Sequence, residues 1–256
     1  VTGSIAALHA YPIKGFSPQP AARASLTVGG AFPNDRLMAV EIGPSGFDPA
    51  NPGFIPKMRF AVLARLAELA RVETHLDSSA RRLIARAPGA ADLDADVSTE
   101  AGRRVVERWL EAVLERLLPE SLEAPLRLLD GQGWRFLDHP LGHVSILNLA
   151  SVRDLEHRLG RRIDPLRFRA NLHVEGWPAW AELGWEGREI GLGTARARMF
   201  KPIVRCAATQ VNLETGVRDI DIPAELFRLY GHTLFGIYVH VEASGEVVTG
   251  DQASLL

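Results

Sequence analysis

Sulfur is nearly missing from this sequence: its 256 residues include a single cysteine, Cys206, and three methionines. One thiol cannot close an intrachain disulfide, and a chain of this length buries about three quarters of its unfolded surface without such a staple. Excess charge is missing as well. Lysine and arginine number 29 against 31 aspartates and glutamates, for a formal net charge of −2. That balance leaves no broad basic footprint for nucleic acid, although a local basic pocket stays open. Long apolar runs are absent: stretches such as 60–64 and 235–239 fall far short of the ~20 residues a membrane span needs. The opening VTGSIAALHAYPIKG carries no basic start ahead of an apolar block, so no secretory signal is read and a cytoplasmic location is expected. Clustered metal ligands are lacking too. His9, His75, His139, His143, His157, His173, His232 and His240 are scattered, and Pro140 and Gly142 spoil the pair at 139 and 143 as helical ligands. No P-loop is present, and Gly191-Leu192-Gly193 lacks the strand-turn-helix setting of a dinucleotide loop and reads as a turn.

What is present points to short strands with few helices. Over 98–118, Val105, Val106, Trp109, Leu110, Val113, Leu114, Leu117 and Leu118 recur at spacings of three and four, which predicts one apolar helix face closed by Pro119. A second, shorter helix is predicted from Ser151 to Leu159, with Ser151 and Asp154 approximating a capping box and Gly160 at the stop. Strands are expected at 4–10, 22–28 and 37–42, in a hairpin of 72–76 and 82–86, then at 171–174, 189–192, 195–200, 207–213, 235–242 and 247–248. The stretch 87–95 reads as an insertion or flexible loop, and 130–140 as a second candidate boundary. The fold class expected is mainly β with a few helices (α+β), around a β-barrel-like core.

Cys206 sits in KPIVRCAATQVNLETG, 201–216. Free cysteine is most often a buried small hydrophobe. Arg205 beside it and Lys201 five residues earlier favour a thiolate, but in a strand Arg205 would face the other way. A Cys-His hydrolase has no local signature here.

That segment resembles the RPxxRCxxTxVxxxTG signature of MOSC domains, the fold named after the C-terminal part of eukaryotic molybdenum cofactor sulfurase. Further pieces agree in order: YPIKG at 11–15, NDR at 34–36, SILNLASVRDL at 145–155, RFRANLHVEG at 167–176 and the closing GEVVTGD at 245–251. The resemblance implies an N-terminal MOSC β-barrel domain over 1–90, a helical connector over 91–130 and a MOSC domain over 131–256. By similarity to amidoxime-reducing members of the family, it implies binding of the molybdenum cofactor, with Cys206 as metal ligand and catalytic residue. A thiolate is a soft, anionic ligand suited to that metal. Lys14, Arg36 and Arg169 take the pterin phosphate in this scheme, with Asn148, Ser151 and Asn171 as hydrogen-bonding neighbours. The helix starting at Ser151 would lend its N-terminus. Gly15, Arg205 and Thr209 complete the implied cofactor set.

The implied activity is a molybdenum-dependent reduction of small N-hydroxylated or N-oxide compounds, with electrons from a separate electron-transfer protein. No iron–sulfur cluster, pyridoxal phosphate, nucleic acid or membrane partner is expected. The alternatives are a persulfide sulfur carrier or cofactor-handling protein using Cys206, and a cofactor-free binding domain that keeps the fold. Bland readings stand beside the implied roles: Lys14 and Arg36 as solvated loop charges, Ser151 as an N-cap and Asn171 as a strand-end pin. The sequence also departs from the pattern. Gly15 stands where animal relatives often have Ser, Ala170 replaces a usual Pro, Leu149 replaces a polar residue and Lys201 replaces the signature Arg. The segment IPKMRF, 55–60, does not look like the animal version of its loop.

Overall fold

The apolar periodicities become a mainly β structure in a computed structural model, which describes residues 1–118, 122 and 124–256. The chain begins with strands β1 (Thr2–Ala10), β2 (Gln19–Ala21), β3 (Arg23–Leu26), β4 (Met38–Ile42), β5 (Glu73–Asp77), β6 (Arg82–Arg86) and β7 (Leu93–Asp96). Helix α1 (Glu100–Leu117), β8 (Leu126–Asp130), β9 (Val144–Asn148) and α2 (Leu149–Leu159) follow. Then come β10 (Leu172–Glu175), β11 (Glu189–Leu192), β12 (Ala195–Val204), α3 (Ile222–Tyr230), β13 (Leu234–Ala243), β14 (Gly245–Val248) and β15 (Gln252–Leu255).

β10, β9, β13, β12, β11, β15 and β1 form one sheet, and β1 pairs back onto β10 to close it into a barrel. Alternate residues of these strands point inward: Ile5, Ile146, Leu172, Ile190, Met199, Ile237 and Val239 share one buried core, each worth ~1.5–3 kcal/mol of apolar burial. β9 and β10 are the parallel pair in the barrel, and a parallel pair needs a crossover. Helix α2 supplies it, with Val152 and Leu155 buried against Phe168, Leu226 and Phe235. The hairpin of β11 and β12 turns at Gly193, which has a φ of +57°; of the stretch expected to be a turn, Gly191 and Leu192 are instead paired in β11 with Arg196 and Ala195.

The other region is built of smaller pieces. β4 pairs with β8, while β5, β6 and β7 form a meander. Val106, Leu110, Val113 and Leu114 of α1 pack into their shared core. This helix starts two residues inside the expected limit because Thr99 caps it, its side chain accepting the Gly102 N–H; Pro119 lies outside the described residues. Strands β2, β8, β9 and β15 were not among the expected elements. The stretch 87–95 is only partly loop, since Leu93 and Ala95 are buried in β7. Among the described residues, no helix is long and apolar enough to cross a membrane.

The expected cap of α2 is corrected. Asn148, not Ser151, is the N-cap: its side-chain oxygen accepts the Ala150 N–H at 3.0 Å, so the helix starts at Leu149. Ser151 lies inside the first turn. The stop is as expected, with Gly160 left-handed at φ +66°, a conformation glycine adopts at little cost.

Candidate functional site

β12 delivers the cysteine. Pro202 has no N–H to give the ladder, and the register against β13 slips between Met199 and Lys201 and again between Pro202 and Val204. Such bulges re-aim side chains near strand ends. Strand pairing stops at Val204, and Cys206, extended at φ −131°, starts the 3-10 turn 207–210. Thr209 fastens that turn: its N–H and its hydroxyl donate to the Cys206 carbonyl at 3.0 and 2.9 Å. The strand expected over 207–213 is therefore replaced by a turn, because a threonine hydroxyl competes locally for the backbone. Having left the strand, Arg205 and Cys206 line one cavity instead of facing apart.

That cavity encloses about 220 Å³. Around Cys206 stand Arg36, Lys57, Arg169, Lys201, Arg205 and Tyr238, with Asp35 and Asp138 as the acidic members. Lys57 reaches in from the loop after β4, its ammonium 3.0 Å from the Cys206 sulfur. Burial disfavours that ammonium, but the Cys206 sulfur and Asp138 outweigh it and hold Lys57 above its ordinary pKa. Arg36 is likewise opposed by burial and then held above its ordinary value by Asp35 and Asp138. Asp138 is held below the usual carboxylate range, because Lys14 and Arg36 outweigh its own desolvation.

Arg169 and Arg205 differ from Arg36. Burial pulls both down to about 10, so both remain cationic at neutral pH. Arg205 donates through Nε to the Phe235 carbonyl and through Nη1 to the Phe168 carbonyl, both at 2.8 Å. Arg169 donates through Nη1 to the Phe16 carbonyl at 2.7 Å and stacks over Tyr11, 4.3 Å from the ring centre. In each, Nη2 is buried with no hydrogen-bond partner among the described residues. A buried donor left unpaired costs about 1–3 kcal/mol, and two of them on one cavity wall suit an anionic ligand. Arg36 and Arg169 also sit in the left-handed region, at φ +47° and +52°. A non-glycine residue there costs on the order of 1–3 kcal/mol, a strain that concentrates at functional sites.

Of the expected site residues, Cys206, Arg36, Arg169, Asn171, Arg205 and Thr209 line this cavity. Asn171 has little left to offer a ligand: its oxygen accepts from the Ser145 N–H and hydroxyl, and its amide donates to the His9 carbonyl. Lys14 stands behind the wall, 1% exposed, and donates to the Phe136 and Leu137 carbonyls and to Asp138 at 2.9, 3.1 and 2.6 Å. Three bonds use all the protons of an ammonium, so Lys14 positions the segment 136–138. It is not a solvated loop charge, and neither is Arg36.

Asn148 and Ser151 do not reach the cavity. The Asn148 amide and the Ser151 hydroxyl both donate to Glu182, at 2.8 and 3.0 Å, and burial pushes the Glu182 carboxyl up. The α2 N-terminus that was expected to face the anion is held in that cluster. Gly15 lines a second cavity of about 620 Å³, together with Phe16, Leu63, Leu69 and Leu166, and Arg169 lines both cavities. Gly15 has φ +89°, and a Cβ there would lie 2.3 Å from the Ala61 carbonyl oxygen. No side chain fits, which accounts for glycine at this position. Sequence reasoning missed Lys57, Asp138 and Tyr238. Asp35 was within reach as the middle residue of NDR, whereas no local pattern marks Lys57.

Among the described residues, no group of three or more His, Cys, Asp or Glu side chains could hold a metal ion. A metal at Cys206 would therefore draw its remaining ligands from the group that carries it. Residues 136–254 match the MOSC domain and residues 2–115 match the MOSC N-terminal beta barrel domain. The chain belongs to the MOSC family. This MOSC protein is 32% identical to mitochondrial amidoxime-reducing component 1 of Mus musculus over 43% of its own length and 36% of the mouse protein. It is 32% identical to mitochondrial amidoxime reducing component 2 of Bos taurus over 42% of its own length and 35% of that protein. The molybdenum cofactor sulfurase of Drosophila ananassae is 30% identical over 55% of this chain and 18% of the sulfurase. The matches thus span about a third of the curated amidoxime-reducing relatives and less of the sulfurase.

Proposed function

We propose that this MOSC protein binds the molybdenum cofactor through Cys206 and reduces small N-hydroxylated or N-oxide compounds with electrons from a separate redox protein. The observation that carries the reading is one cavity holding a thiol and the unpartnered Nη2 groups of Arg169 and Arg205. A soft anionic sulfur suits the metal, and converging guanidinium donors suit a phosphate or another anion of the same ligand. The residues present therefore fit the group. When bound, the cofactor supplies the two-electron redox chemistry and the dithiolene sulfurs.

The chain's own residues would bind and orient. Arg169 and Arg205 would take the anion. Asp138, held ionised by Lys14 and Arg36, would fix the cationic side of the cavity, and Thr209 would hold the Cys206 backbone so that the sulfur faces inward. Reducing an N–OH group to N–H releases water and consumes two electrons and two protons. The single cysteine of these 256 residues cannot ligate an iron–sulfur cluster, so in this reading the electrons would come from outside them.

The second reading, a persulfide carrier, is favoured by the Lys57 ammonium 3.0 Å from the sulfur, a contact that would stabilise an anionic sulfur chain. Metal analysis and oxidised-pterin fluorescence on protein from a host fed molybdate separate the two. Molybdenum and pterin near one per chain, lost in Cys206→Ala, support the first reading. An intact mass larger by one sulfur, without pterin, replaces it with the second.

A further inference from the structure

The segment from Pro44 to Arg59 joins β4 to the strap of chain entering Phe60, and it is poorly anchored. It contains Pro44, Gly46, Pro49, Pro52, Gly53 and Pro56, and its regular structure is the single turn Lys57–Arg59. Its internal hydrogen bonds are short in sequence: Phe47 N–H to Ser45, Ala50 N–H to Asp48 and Arg59 N–H to the Pro56 carbonyl. Phe47 and Ile55 are partly buried against Phe60 and Phe136, whereas Phe54 and Met58 are exposed. Among the described residues, the segment 44–59 is tied at its ends by the Ser45 N–H to Glu41, 2.8 Å, and the Phe60 N–H to the Lys57 carbonyl, 3.1 Å, and between them by Arg65 Nη1 to the Met58 carbonyl, 3.2 Å, and Lys57 Nζ to Cys206 Sγ, 3.0 Å.

We propose that the Lys57–Cys206 contact is a latch that couples the state of the sulfur to the position of segment 44–59. While the sulfur is free, Lys57 holds the segment across the cavity. When the sulfur's lone pairs and charge are taken, by a metal or by a neutral covalent cap, its hold on Lys57 weakens and the segment is released. The unpartnered Nη2 groups of Arg169 and Arg205 on the same cavity independently point to an incoming ligand, so the latch lies where loading would occur. The segment is thus a strap that closes the empty site and opens as the site fills. The inference holds for a metal or a neutral cap on the sulfur; an anionic persulfide would keep Lys57 engaged.

Hydrogen–deuterium exchange of the full chain, read over 46–59, tests this without molybdenum. Capping Cys206 with methyl methanethiosulfonate is expected to speed exchange in that segment roughly tenfold, the effect of losing one charge-assisted hydrogen bond on a two-state opening. Dithiothreitol should restore the slow rate. Cys206→Ala should exchange fast without the cap, and Lys57→Met should exchange fast and gain nothing from capping, while peptides covering β9 and β13 stay protected in every sample as a check on folding. Unchanged exchange in capped wild type and in Cys206→Ala would overturn the proposal. So would a Lys57→Met protein that still responds to the cap.

Discussion

The Asn148–Ser151–Glu182 cluster and the cavity around Cys206 are both built from polar side chains withdrawn from water, yet they are completed differently. In the cluster, Asn148 caps Ala150 and donates to Pro178 and Glu182, while Ser151 donates to Glu182 and accepts the Trp180 N–H. In the cavity, Nη2 of Arg169 and Nη2 of Arg205 face no partner among the described residues. A polar network closed on itself rigidifies a fold, whereas buried donors left open mark a place for something else. Proximity to a family motif does not tell the two apart. Hydrogen-bond completeness does.

The comparison can be broken most sharply at the two centres. Cys206→Ala should lose metal-dependent reduction by more than the ~10–100-fold that follows loss of an outer-shell partner, with thermal stability nearly unchanged; kinetics and a melting curve on one preparation check both halves. Asn148→Ala should do the reverse. It removes a helix cap and leaves Glu182 short of a donor, so it should lose about 1–3 kcal/mol in chemical denaturation while the bound molybdenum per folded chain is unaffected. Arg169→Lys keeps the charge but loses the planar fork and the second Nη donor, so cofactor retention on dialysis should fall about tenfold; retention equal to wild type would remove Arg169 from the anion-binding role.

The smallest effect concerns pH and has opposite signs in the two places. Asp138 has a depressed pKa, so its stabilisation is full above the unfolded carboxylate value near 4 and is lost as pH falls through and below it. Glu182 has a raised pKa, so it costs stability as pH rises from near 4 through its folded value. Melting temperatures between pH 3 and 8 should therefore show Asp138→Asn flattening the acid limb and Glu182→Gln gaining relative stability toward neutral pH. Identical pH profiles for the two variants would contradict the assignment.

The barrel class, α1 and the cysteine-bearing segment were legible because their signals are local. Val106, Leu110, Val113 and Leu114 repeat at helical spacing, and RC with its following threonine is contiguous. Arg36 and Arg169 were legible through short motifs that also carry their left-handed backbone. Asn148 and Ser151 were misplaced because their partner, Glu182, lies 34 and 31 positions away, a distance that no capping pattern reports. Lys57 was illegible for the same reason at greater range, its partner being 149 positions on. β9 escaped notice because all of Val144–Asn148 is buried, which erases the alternation that marks a half-exposed strand.

β1 lies between β10 and β15, with Thr2 opposite Ser254 and Leu8 opposite Leu172. The barrel is therefore sealed by segments about 250 positions apart in sequence, the kind of distant pairing that slows folding. During synthesis the seam stays open until the residues of β15 have emerged from the ribosome, long after the β5–β6–β7 meander could have formed. Until then the part of β1 that pairs with β15 is an uncovered edge that other chains could pair with.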